Sequence, residues 1–207
     1  MTRGDEDLVL DLFSGTGSAT QPFVECGKHR VVRIDIAGSP DIRADVRNLP
    51  IRPDIRPRFV WASPPCTEFS TLTNLRKYWP GKTGPIPENG MPLVRAAFSA
   101  ARSADYWVVE NVAGSIPHIG KEFGRPRFIW AGRVCWSNVE LPLMSPPSRW
   151  WRKFGRRPSK KEPEKLAEFK EMMRRRGVQG DSFKDHSRAR SMIPRPLAQA
   201  VHDAVCQ

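Results

Sequence analysis

A cysteine follows two prolines in the stretch Ala62 to Ser70, ASPPCTEFS, which closes an apolar run. A thiol becomes a strong nucleophile once deprotonated. Pro64-Pro65 would hold Cys66 on a stiff, non-helical loop, because proline fixes its own φ and pushes the preceding residue toward extended geometry. Free cysteine is also among the most often buried residue types, so a packed, inert thiol fits this stretch as well. Three further stretches carry groups of chemical use: the glycine turn Ser14-Gly15-Thr16-Gly17, the pair Asp35 and Asp45, and Glu110-Asn111-Val112. The turn is not a dinucleotide fingerprint, since Thr20 stands where GxGxxG requires the third glycine. It suits a small nucleoside without pyrophosphate, with backbone approach at Gly15 and Gly17, Asp35 on a ribose diol and Asp45 on an adenine amine. Each acid alone also reads as a turn or cap residue.

The elements that must position these groups follow from periodicity. Leu8 to Phe13 reads as a buried strand running into the glycine turn, after which Ser18 caps a short helix to Glu25 with Gly27 as its stop. A second strand, Val31 to Ile36, carries Asp35, and the third, Phe59 to Ala62, leads into Cys66. Thr71 to Gly90 is a long segment without periodicity, suited to a lid. Pro92 starts a helix reaching Ser103; Tyr106 to Val109 is the fourth strand and Phe128 to Ala131 the fifth. A helix is expected over Pro163 to Arg176 and a last one over Leu197 to Val205, with Leu197, Val201 and Val205 as an apolar seam. Strands alternating with crossovers predict an α/β fold, a mostly parallel sheet with helices on both faces. Such sheets bind ligands at the carboxyl ends of their strands, where Gly15, Asp35, Cys66 and Glu110 all fall. That convergence favours the nucleophile reading of Cys66.

The chain has 207 residues, enough for one good core. Its 34 Lys and Arg against 22 Asp and Glu give a net charge of +12, which with seven Trp and ten Phe suits a polyanionic partner. Residues 134 to 186 hold 13 Lys and Arg against 7 Asp and Glu. Here Arg149, Arg152, Lys153, Arg156 and Arg157 interleave with Trp150, Trp151 and Phe154, a mixture suited to phosphates and stacked bases and also to a plain solvated basic face. The cysteines, at 26, 66, 135 and 206, form no CxxC pair and are not expected to group with the four histidines, so neither a metal nor a disulfide framework is expected. No charged-then-apolar leader and no run near membrane-span length is present, which predicts a soluble, cytoplasmic protein without a membrane partner.

DLFSGTGS, SPPCTEFS, ENV, RPR and SMIPRPLAQAV, in that order, resemble the motifs of the C5-cytosine DNA methyltransferases. The resemblance runs from about residue 8 to 133 and from 187 to 207. It implies a Rossmann-like S-adenosylmethionine-dependent methyltransferase fold, with 1–133 and 187–207 as the catalytic core and 134–186 as a small basic target-recognition region. It further implies double-stranded DNA as partner and a monomer in the cytoplasm of a prokaryotic or phage-infected cell.

By this resemblance Cys66 is the nucleophile that adds to C6 of cytosine, and Glu110 holds or shares a proton at N3. Arg127, with Arg125 beside it, meets the pyrimidine carbonyl. S-adenosylmethionine, leaving as S-adenosylhomocysteine, falls to Phe13, Gly15, Thr16, Gly17, Ser18, Asp35, Ile36, Asp45, Val46, Pro65 and Ser191. DNA falls to Ser70, to Arg76, Lys77 and Lys82 of the lid segment, and to the basic stretch from Arg149 to Arg157. The base is expected to be flipped into the pocket, since the thiolate must approach from above the ring.

Three features depart from the family pattern. Thr67-Glu68 follow the nucleophile where Gln is usual, Arg190-Ser191 replace Gly-Asn in the last motif, and the recognition region is short. So small a reader predicts a target of about two to four base pairs. Two other readings stand beside this one: the same chemistry on structured RNA, and a catalytically silent DNA-binding relative.

Overall fold

The computed structural model describes residues 7–52, 54–70, 85–142 and 192–207. Two compact units divide the chain, Met1–Met144 with Pro194–Gln207 and Ser145–Ile193; almost all of the second lies outside the described residues, and the sheet and its helices belong to the first. The expected helix over Pro163 to Arg176 falls outside the described residues too.

Short apolar runs, too rich in β-branched and aromatic residues to favour helix, build a seven-stranded sheet in the order β3-β2-β1-β4-β5-β7-β6. The strands are β1 (Leu8–Leu12), β2 (Arg30–Asp35), β3 (Ile42–Arg43), β4 (Phe59–Ala62), β5 (Tyr106–Val112), β6 (Phe128–Trp130) and β7 (Arg133–Ser137). Strands β1 to β5 pair in parallel, while β7 runs antiparallel to both β5 and β6. The doubly wound order 3-2-1-4-5-6 is thus extended by a seventh strand inserted before the edge. Every residue of β1 and β4 is buried, as expected of central parallel strands covered on two faces.

Alternation along the strands sorts two cores. Leu8, Leu10, Leu12, Val60, Ala62 and Val109 face α2 (Pro87–Ala101), which contributes Met91, Val94, Ala97 and Phe98. Ile119 of α3 (Ile116–Phe123) joins the same cluster. On the opposite face Phe23 of α1 (Gln21–Cys26) stacks on Phe59 at 5.0 Å, and Phe59 meets Trp61 edge-on. The last helix, α4 (Arg195–Val205), packs beside α1 and buries Leu197, Ala198, Val201 and Val205, the seam expected from its spacing.

Several boundaries differ from their sequence expectation. Helix α2 starts at Pro87 rather than Pro92, since Pro87 serves equally well in the first turn and Pro92 is carried inside the helix. Helix α1 starts at Gln21 instead of after Ser18, but it ends as expected on left-handed Gly27, at φ 67°. Strand β5 continues to Val112, so Glu110 and Asn111 stand on the strand itself. Helix α3 has no counterpart among the expected elements. The expected fifth strand, β6, is the sheet edge, and the sheet continues through β7 to Ser137, beyond the 133/134 boundary drawn from the charge pattern. A change of composition marks where charge accumulates; it does not mark where a strand ends.

One polar group is buried within this fold next to the glycine turn. Asp11 of β1 is 1% exposed and accepts a hydrogen bond from Thr20 Oγ1 at 2.8 Å. Burial, only partly offset by Thr20 and Arg33, pushes its pKa from 3.8 up to about 7. Below pH 4 the folded and unfolded chains are both protonated at this group and it costs nothing. As pH rises from 4 toward 7 the unfolded chain ionises first, so stability drains away, by up to ~4 kcal/mol above pH 7. Asp11→Asn should therefore gain stability relative to wild type as pH rises from 4 to 8 in denaturant titrations. Parallel stability curves would show that Asp11 is ionised in the fold.

Candidate active site

The site begins where β4 ends. Ser63 N–H donates to Leu12 O at 3.2 Å, continuing the pairing with β1 for one residue beyond the strand, and the two prolines then carry the chain away from the sheet. Cys66 comes next with φ −90° and ψ 0°, a sparsely populated conformation frequent at active-site residues, and opens a 3-10 turn over Thr67–Phe69. Its side chain is exposed. The buried-thiol reading thus fails for Cys66, while Cys135 fulfils it: that thiol is fully buried, and desolvation, aided by the Glu110 charge, pushes its pKa well up.

Two contacts fix the turn after Cys66. Glu68 Oε2 accepts from Ile86 N–H at 2.8 Å, joining the residues that flank 71–84. Phe69 is buried against α2 at Gly90, where an added Cβ would stand 2.7 Å from the ring. Glycine is therefore required at a helix position that would otherwise favour alanine.

The neighbouring strand supplies the acid. Glu110 is 4% exposed, and Arg133 Nη1, at the start of β7, donates to its Oε1 at 3.1 Å. Both side chains are nearly removed from solvent, so each neutralises a charge that would be costly alone. Asn111, wholly buried, points to the other face; its Nδ2 donates to Pro64 O at 3.1 Å and its Oδ1 accepts from Val112 N–H. A side chain of β5 thereby ties the loop of Cys66 to the strand of Glu110.

The glycine turn lies at the same carboxyl edge, two strands from β5. Phe13, Gly15 and Gly17 all adopt positive φ, at 57°, 51° and 71°. Asp35 at the end of β2 accepts from Gly15 N–H through Oδ2 at 2.9 Å and from Ala37 N–H through Oδ1 at 3.0 Å. Each carboxylate oxygen keeps a second lone pair for a ligand hydroxyl. Thr16 and Ser18 are half-buried, Ile36 is 67% exposed beside Asp35, and Val46 is buried. This donor and acceptor set, with an exposed apolar side chain next to a carboxylate, suits a nucleoside sugar and base.

Other expected residues stand differently. Asp45 caps the 3-10 turn Val46–Asn48, accepts from Arg47 N–H, and is forked by the Arg47 guanidinium, which draws its pKa down to about 2. Arg125 and Arg127 are exposed, and Arg127 pairs with Glu140. The arginine on Glu110 is Arg133, a residue given no role from the sequence. The RPR motif points to its neighbours, and only the antiparallel return of β7, which no sequence pattern announces, delivers Arg133 to the acid. Pro65 is exposed and Ser70 is buried. Arg76, Lys77, Lys82, Arg149, Arg152, Lys153, Arg156, Arg157 and Ser191 lie outside the described residues.

At the opposite edge of the sheet the expectation that cysteines and histidines lie apart is overturned. Cys26, His29 and His202 bring one ligand atom each to within 4.8 Å of one another. Their short spacings are readable in the sequence, but the two halves sit at opposite ends of the chain.

No family model matches the chain. It is 34% identical over 113 residues to a curated protein of Frog virus 3 (isolate Goorha) named "Probable DNA (cytosine-5)-methyltransferase", a match covering 50% of this chain and 52% of that protein. The match thus spans about half the length of this relative.

The bond from Asn111 to Pro64 generates a test that needs no substrate. Asn111→Ala leaves a buried carbonyl without its donor and should cost about 1–3 kcal/mol. Hydrogen exchange around Cys66 should accelerate more than in α2. Equal acceleration in both would mean that Asn111 contributes to general stability and not to the loop.

Proposed function

We propose that the protein is an S-adenosylmethionine-dependent DNA (cytosine-5)-methyltransferase. The observation that carries this reading is an exposed thiol at the end of β4 tied, through Asn111, to the strand bearing a buried, arginine-paired glutamate. The similarity to the frog virus protein supports the same activity.

C5 of cytosine is a poor nucleophile, and the Cys66 thiolate activates the ring by adding to C6. The new S–C bond pushes electron density through the ring toward C5 and N3. Glu110 shares a proton at N3 and so relieves the charge, while Arg133 keeps the carboxyl group oriented. S-adenosylmethionine would be held by the Gly15 and Gly17 turn and by Asp35, and would supply the methyl group to C5. A base then takes the C5 proton, the electron pair returns to the ring, and Cys66 leaves. Thiolate access to C6 from above requires a base flipped out of the duplex. A short basic recognition region after β7 suits a target of few base pairs.

Duplex DNA carrying 5-fluorocytosine tests the mechanism, because fluorine cannot leave as the proton does. Wild type with S-adenosylmethionine should form a covalent complex that survives denaturation, and Cys66→Ser should form none while still binding DNA. Glu110→Gln should slow trapping by about 10²-fold or more. Trapping by tRNA in preference to duplex DNA would move the same chemistry to RNA. DNA binding without trapping by wild type would favour a silent relative.

A further inference from the structure

Two short spacings at the far ends of the chain meet at the edge of the sheet opposite Cys66. Cys26 ends α1 and His29 lies in the turn to β2, giving Cys-x2-His; His202 lies in the last turn of α4 and Cys206 caps it, giving His-x3-Cys. Residues four apart on a helix share a face, so His202 and Cys206 present their ligand atoms together. The intervals of two and three residues are those by which chains offer pairs of ligands to zinc.

The side chains are already close. Cys26, His29 and His202 each place a ligand atom within 4.8 Å of the other two, and His29 Nε2 is 3.2 Å from Cys206 Sγ. With Zn–S near 2.3 Å and Zn–N near 2.0–2.1 Å, the edges of a tetrahedral site measure about 3.3–3.8 Å. The His29–Cys206 contact is close to that length, and the ligand atoms of Cys26, His29 and His202 need to contract by about 1 Å to reach it.

The orientation of His202 gives an independent observation. Its Nδ1 is 2.9 Å from Asp203 Oδ1, an acceptor only, and 3.4 Å from Gln199 Nε2; in the neutral tautomer that donates to Asp203, Nε2 keeps its lone pair for an ion. That Nε2 is buried and has no hydrogen-bond partner among the described residues. A ligand imidazole whose other nitrogen donates to a carboxylate is the usual outer-shell arrangement around zinc. Beside the cluster a pocket of about 450 Å³, lined by residues including Asp7, Lys28, Arg58 and Asp105, opens onto His29 and Cys206 and gives an ion a way in.

We propose that Cys26, His29, His202 and Cys206 form a structural Cys2His2 site for a zinc-class divalent cation, which staples the C-terminal helix α4 to α1 and the start of β2. The softness of two thiolates and two imidazoles selects zinc over magnesium or calcium. On binding, both thiols lose their protons to solvent, leaving a neutral centre. Four ligands close the coordination sphere, so the ion takes no part in chemistry at the other edge. The chain from 30 to 201, which includes the whole recognition region, would be closed into one loop by the ion. This proposal stands independently of the methyltransferase reading.

Full-length protein, stripped with a chelator under reducing conditions, is titrated with Co2+ and then Zn2+. One equivalent of Co2+ should give the absorption bands of a thiolate-ligated tetrahedral ion, and Zn2+ should abolish them. Saturating Zn2+, at about 100 times Kd, should raise Tm by on the order of 5–10 °C. Cys206→Ser and His202→Ala should lose the bands, and Cys66→Ser should keep them. Wild type without thiolate bands would overturn the site, leaving a hydrogen-bonded cluster. Bands that vanish in Cys66→Ser, or persist when His29 and His202 are both alanine, would overturn it as well.

Discussion

The hydrogen bond from Asn111 Nδ2 to Pro64 O is the contact on which the candidate active site depends. Pro64 and Pro65 remove two backbone donors from the loop, so it cannot hold itself to the sheet by ladder bonds. An acceptor must be reached from a side chain, and Asn111 reaches it from inside the core without exposure. Because Asn111 neighbours Glu110, the bond sets the thiol loop relative to the acid. Strand alternation does the rest, sending Asn111 to the α2 face and Glu110 to the other.

Buried charge is handled in two different ways around this edge. Glu110 has a cationic partner in Arg133 and is held within the sheet by the β5–β7 pairing. Asp11 accepts a hydroxyl donor from Thr20, and its burial is answered by proton uptake. A carboxylate oriented by a guanidinium keeps its partner at a strand end, whereas one pushed up to about 7 serves the packing of β1 against the start of α1. Neither distinction is visible from residue type.

What the sequence disclosed was local. Glycine stops, the prolines before Cys66, the buried runs of β1 and β4 and the seam of α4 are each fixed by a few neighbouring residues, and they stand where periodicity put them. Pairings across long separations were hidden. Arg133 reaches Glu110 only because β7 turns back antiparallel, and no spacing encodes that return. Asp45 reads from its spacing as a partner for an adenine amine, while the fork that Arg47, two residues on, makes on its carboxylate is not read from spacing. The Cys26-His29 and His202-Cys206 spacings are each unremarkable until α1 and α4 pack together.

The sheet thus separates two kinds of chemistry by its edges, with strand carboxyl ends carrying the thiol, the acid and the glycine turn, and the amino-end edge carrying the cysteine–histidine cluster. The central claim concerns the first edge. It is tested most directly by incubating duplex DNA with the protein and isotopically methyl-labelled S-adenosylmethionine, digesting the DNA to nucleosides and identifying the labelled product by mass spectrometry. The account predicts label in 5-methyl-2′-deoxycytidine. Label in N4-methyl-2′-deoxycytidine or N6-methyl-2′-deoxyadenosine, or none in DNA that the protein demonstrably binds, would contradict it.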